Sequence, residues 1–175
     1  DEQGLYAALG QLPGVCAAYN QIDGNGYAKL HVDDGVFQGL TIILGAAAHA
    51  VMTCGASIVA VDACHLYYER SDLRMGLMEG TLSTNKIVPV VMHLGWQECF
   101  PFYRYMFTDV RDHAPALYAF LDSVDTCLIG DRHPALKKAV KACFSTACER
   151  PPTRPVGAHD AMVDVVKLRS CRGHI

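Results

Sequence analysis

The chain has no run of about 18 uncharged apolar residues, the length a helix needs to cross the hydrocarbon layer of a bilayer. Its longest apolar candidate, Leu40 to Val61, is interrupted by Thr, His, Gly and Ser, so a membrane helix is not expected. No secretory leader pattern is visible. A glycine-rich phosphate loop is also missing, because Gly24-Asn25-Gly26 has neither the strand-to-helix context nor the lysine of a Walker motif. The spacing of the eight cysteines does not suggest a disulfide framework. They are scattered, and Cys64 and Cys127 lie inside apolar runs, as expected of buried, reduced thiols in an intracellular protein. The sequence starts at Asp1 and stops at Ile175, just after a Cys-x-x-His, and reads as a piece of something longer.

What is present is a core. At 175 residues and 51% hydrophobic, the chain suffices for one α/β domain. Ser57 to Leu66 runs through small and β-branched residues into a lone Asp62, which reads as a strand buried on both faces with a carboxylate in its far half. Thr126 to Arg132 is a second short apolar run ending in an acid, Asp131. Two such strands side by side would hold two carboxylates over one cleft, as divalent-metal phosphoryl chemistry requires. Charge is divided unevenly: six Lys and Arg face fourteen Asp and Glu up to Gly130, against nine and four from Asp131 onward. The basic portion suits a phosphate-bearing partner.

In chain order, Leu5 to Tyr19 has helical spacing interrupted at Leu12-Pro13-Gly14, which predicts a short helix pair. Tyr27 to Val32 alternates like a strand closed by Asp33-Asp34-Gly35. Phe37 to Thr53 is ambiguous in its first half and helical in its Ala-rich second half. A polar linker through Tyr67 to Asp72 follows the Asp62 strand. Leu73 to Leu82 and Lys86 to Leu94 read as strands joined by Ser83-Thr84-Asn85. Pro89 marks the second as an edge strand. Gln97 to Val124 is helical with an aromatic stripe that reads as core, and Pro115 starts a second helix. Pro134 opens a helix over Ala135 to Phe144. Beyond it, Thr146 to Cys148 reads as a strand, Arg150 to Gly157 as a loop and Asp160 to Arg169 as a last helix.

Val61-Asp62-Ala63-Cys64-His65-Leu66, the segment from Gly80 to Glu98 with its Asn85-Lys86-Ile87-Val88-Pro89, Ile129-Gly130-Asp131-Arg132-His133-Pro134, and Cys171-Arg172-Gly173-His174 occur in that order. Together they resemble the catalytic domain of Mutator-like (MULE) transposases, a ribonuclease H-like fold with a DDE site. The resemblance implies an α/β mixed sheet, its first three strands antiparallel and the later ones parallel, with flanking helices. It covers residues 37–175, truncated before the third acid, with residues 1–36 as a lead-in segment.

By the same resemblance, Asp62 and Asp131 would be the catalytic acids and would hold two magnesium ions for cleavage and transfer of DNA strands at transposon ends and target. His65, Arg132, Cys171 and His174 would be accessory motif residues. A nuclear location and a homo-oligomer are also implied. The family's third acid lies past the Cys-x-x-His. Here Glu98 reads as structural, and Asp160 and Asp164 as surface helix acids. Cys171 and His174 alone cannot make a four-ligand zinc site, so zinc is not expected. His31, His49, His93 and His113 read as packing or surface residues. Two rival expectations stand beside it: a domesticated, catalytically inactive module that binds DNA or protein, and an unrelated α/β enzyme with the two aspartates in a phosphatase-like or nucleotide-binding role, against which the missing glycine-rich phosphate loop counts.

Overall fold

The computed structural model describes residues 2–66, 72–131, 133–145 and 168–170. Expectations for residues 67–71, for 146–167, and for Arg132, Cys171 and His174 lie outside them. The helix α1 (Glu2–Ile22) comes first, followed by the strands β1 (Tyr27–Asp33) and β2 (Val36–Ile43), the helix α2 (Gly45–Cys54), and the strands β3 (Gly55–His65), β4 (Arg74–Leu82) and β5 (Ile87–Gly95). After these come α3 (Phe100–His113), α4 (Pro115–Asp122), β6 (Cys127–Gly130), α5 (Pro134–Cys143) and the three-residue β7 (Leu168–Ser170). One mixed sheet takes all seven strands in the order β1-β2-β5-β4-β3-β6-β7. Pairing is antiparallel from β1 to β3, whereas β3, β6 and β7 run parallel.

The main core lies between one face of this sheet and the helices α2 to α5. Val59 and Val61 of β3, Met78 of β4, Val91 of β5 and Leu128 of β6 are buried there against Val51, Phe102, Tyr103, Met106, Phe107 and Leu136. Close approach is secured by missing side chains. A Cβ on Gly76 or Gly95 would come within 2.8 or 2.9 Å of the Phe102 ring, and one on Gly80 within 2.4 Å of Val51. A smaller core on the other face joins α1 to the sheet through Cys16, Ala28 and Leu40.

Three expectations are corrected. Residues Glu2–Ile22 form one helix with Pro13 inside it, although an internal proline costs about 3 kcal/mol. The half after Pro13 is fastened by tertiary contacts: Tyr19 Oη donates to the Ile43 carbonyl, and the Asn20 amide bonds both the N–H and the C=O of Ala28. Second, β5 is an interior strand between β2 and β4. Pro89 is tolerated because β2 pairs with β5 only from Gly95 back to Val91, and because the β4–β5 register shifts between Met78 and Glu79 beside it. Third, Leu168 and Arg169 belong to a strand, not to the end of a helix. The remaining ambiguity, the first half of Phe37 to Thr53, resolves as β2. Asp34 (φ 47°) and Gly35 (φ 77°) form the left-handed two-residue turn that joins it to β1.

Candidate acidic site

Sheet topology positions the two predicted acids. Parallel pairing of β3 with β6 runs from Ile58 opposite Cys127 to Val61 opposite Gly130. Asp62 and Asp131 are the next position on each chain: Asp131 leaves the carboxyl end of β6, while Asp62 lies within β3, opposite Leu77 of β4, just past the last pair with β6. Both thus stand on the carboxyl side of the parallel pairing, the side on which open α/β sheets bind ligands. The expectation that β3 is buried on both faces is corrected. Val59 and Val61 are buried while Ile58 and Asp62 are exposed, because among the described residues the helices α2 to α5 cover only the face to which Val59 and Val61 point.

The carboxylates are held locally. Asp62 Oδ1 accepts the N–H of Ala63 at 2.9 Å, and Asp131 Oδ1 accepts the N–H of His133 at 2.9 Å. Among the described residues, the second oxygen of each accepts no hydrogen bond. The His133 imidazole caps α5 by accepting the Ala135 N–H at 3.3 Å. Its Nδ1 also lies 3.5 Å from Glu98 Oε1. One lone pair cannot serve both, and the capping contact is the one with hydrogen-bond geometry.

Glu98 lies closer to this site than its sequence reading suggested. It precedes α3 and accepts the hydroxyl proton of Tyr103. Tyr103 is fully buried. Burial, the bond to Glu98 and the charges of Glu98, Asp131 and Asp62 together push its phenol far above the ordinary range. Three carboxylates thus lie within electrostatic reach of one hydroxyl. No sequence signal distinguished Tyr103 from the other aromatic residues of its stripe. His65 is placed elsewhere: it stands three positions past Asp62, and its Nδ1 accepts from Arg74 on β4. Three steps along a strand reverse the face, so it does not join the carboxylates. Among the described residues, no three His, Cys, Asp or Glu side chains gather closely enough to hold a metal ion by themselves. No helix is long and apolar enough to cross a membrane.

A second polar cluster lies under the middle of α3. Asp109, 1% exposed, receives His31 Nε2 at 2.6 Å, and Lys29 Nζ approaches its other oxygen at 3.1 Å. That approach is an ion pair without hydrogen-bond geometry, since Asp109 Oδ1 has no hydrogen-bond partner among the described residues. Thr41 Oγ1 lies 2.9 Å from Nδ1 of His93, which is fully buried. His31 and His93 had been read as packing or surface residues, and Asp109 carried no assignment. Their common site could not be read from the sequence because its members are far apart, 78 positions in the case of His31 and Asp109.

No protein-family model matches the chain, and no curated protein is detectably similar to it.

Proposed function

We propose that the chain is a ribonuclease H-like catalytic domain of the Mutator-like transposase type, in which Asp62 and Asp131 serve metal-dependent cleavage and transfer of DNA strands. One observation carries this reading: the two acids follow directly from paired positions on adjacent parallel strands. The sheet supports it, since β3, β4 and β5 are antiparallel and β6 and β7 extend β3 in parallel.

The donor chemistry fits magnesium. Both groups are hard oxygen donors, each with an oxygen unengaged among the described residues, and magnesium is commonly held by one or two carboxylates with water and phosphate oxygens completing its shell. Bound there, divalent ions would supply Lewis acidity at a phosphodiester. The protein's part is orientation. The Ala63 and His133 amides each fix one carboxylate oxygen and leave the other without a hydrogen bond among the described residues. DNA as partner and a nuclear location belong to the same proposal.

A second reading, an inactive transposase-derived module that binds DNA or protein, is favoured by the lack of a third ligand-type side chain at the pair among the described residues. A version extended past Ile175 separates the two. Nicking of supercoiled plasmid that requires Mg2+ or Mn2+, and that falls to background in Asp62→Asn and in Asp131→Asn, establishes the enzyme. Wild-type nicking by either variant removes these residues from the chemistry, and no nicking by the parent protein leaves the inactive module.

A further inference from the structure

The β1–β2 hairpin meets α3 through polar groups. Lys29 and His31 reach from β1, Thr41 from β2, His93 from β5 and Asp109 from α3. Tyr105 of α3 stacks on His31 at 4.3 Å, and His113 of α3 stacks on Tyr27 of β1 at 3.7 Å, with Asp112 near it. Lys29, His31, His93, Tyr105, Asp109, Asp112, His113 and Tyr27 are thus the titratable groups brought to this junction by β1, β5 and α3, while β2 contributes only the Thr41 hydroxyl.

His93 is the strained member. Its ring is fully buried, Nδ1 meets Thr41, and Nε2 has no partner among the described residues. A Cβ on Gly39 would lie 3.0 Å from Nε2, and the Phe102 ring stands perpendicular to that of His93 with centroids 4.7 Å apart. A ring carrying both protons would turn a second N–H into this tightly packed surrounding, where Nε2 finds no hydrogen-bond partner among the described residues. We infer that this network is a pH-sensitive latch: it fastens the β1–β2 hairpin to α3 near neutral pH and releases it in acid.

The sign follows from proton uptake. Burial, aided by the His31 charge and opposed by Asp109, holds His93 at about 3 against an ordinary 6.5. Burial acts to raise Asp109, but its bonds from His31 and Thr41 outweigh burial and hold it below the usual 3.8. An opened hairpin returns both groups to ordinary values, so the open form binds protons first. The latch is at full strength above about 6.5 and weakens as pH falls from there toward about 3. One extra proton on the open form raises the opening equilibrium by up to about tenfold per pH unit.

Hydrogen-exchange protection factors at pH 7, 6 and 5 test this. Trp96, the sole tryptophan, provides a fluorescence probe because its indole N–H bonds the Phe37 carbonyl of β2 at 2.8 Å. The expected result is a loss of protection over Tyr27–Ile43 approaching tenfold per unit, ahead of β3 and β4, with a matching red shift of Trp96. His93→Gln, which cannot titrate, should flatten the profile. Uniform loss across all strands, or an unchanged slope in His93→Gln, overturns the latch. If that variant does not fold, Asp109→Asn decides: hairpin protection at pH 7 lowered to the wild-type acid level supports the latch, and wild-type protection at pH 7 overturns it.

Discussion

The protein has two polar clusters that share α3 and treat their aspartates in opposite ways. Under the middle of the helix, Asp109 is sealed from water with His31 and Lys29 directed at it. Where the β3–β6 pairing ends, Asp62 is exposed and Asp131 half-buried, each holding one backbone amide. A carboxylate removed from water must be compensated by the fold, and its partners then become part of the fold's stability. One left in reach of water with an unengaged oxygen costs the fold little and remains available to a ligand. The comparison therefore separates a structural acid from functional candidates without reference to any relative.

The sharpest break in that comparison is Asp109→Ala. It leaves Lys29 and the half-buried His31 without their common acceptor. A hydrogen bond to a charged group contributes about 1.5–3 kcal/mol, so urea denaturation at pH 7 should show a loss of that size. A change below about 0.5 kcal/mol, the level of an ordinary surface substitution, would mean that Asp109 is not compensated as the geometry indicates.

Next in size is Gly76→Ala. A methyl on β4 would stand 2.8 Å from the Phe102 ring edge, lifting the start of α3 from the sheet beside both clusters. Overpacking of this kind costs about 1–3 kcal/mol. Thermal unfolding measures the loss, and a wild-type midpoint would show that Phe102 shifts freely.

The sequence was informative where a local pattern was enough. An apolar run ending in one acid located Asp62 on β3 and Asp131 directly after β6, and the helix starts at Pro115 and Pro134 matched their prolines. Long-range geometry decided the rest. Pro89 was read as an edge marker because it lacks a donor, yet an interior strand accepts it where β2 has ended and the register slips. Pro13 was read as a break, but anchors on β1 and at Ile43 hold the helix through it. Glu98 and Tyr103 drew no functional reading because a hydrogen bond between two residues five positions apart leaves no mark on hydrophobic periodicity. The His31, His93 and Asp109 cluster was hidden for the same reason.

The smallest expected effect is the most discriminating. Asp62→Asn keeps the size of the side chain and its carbonyl oxygen, so the bond from Ala63 survives. Nothing else among the described residues relies on the lost charge for a hydrogen bond or an ion pair. Folding stability in the absence of metal should therefore change by less than about 0.5 kcal/mol, the range of a surface substitution away from structural features. Mn2+ titration by calorimetry should behave differently, with the wild-type binding isotherm lost in the variant, because a neutral amide cannot replace a carboxylate as a hard anionic donor. Full stability together with lost ion binding assigns the acid to a ligand. A stability loss near that of Asp109→Ala would place Asp62 among the structural carboxylates and remove the distinction between the two clusters.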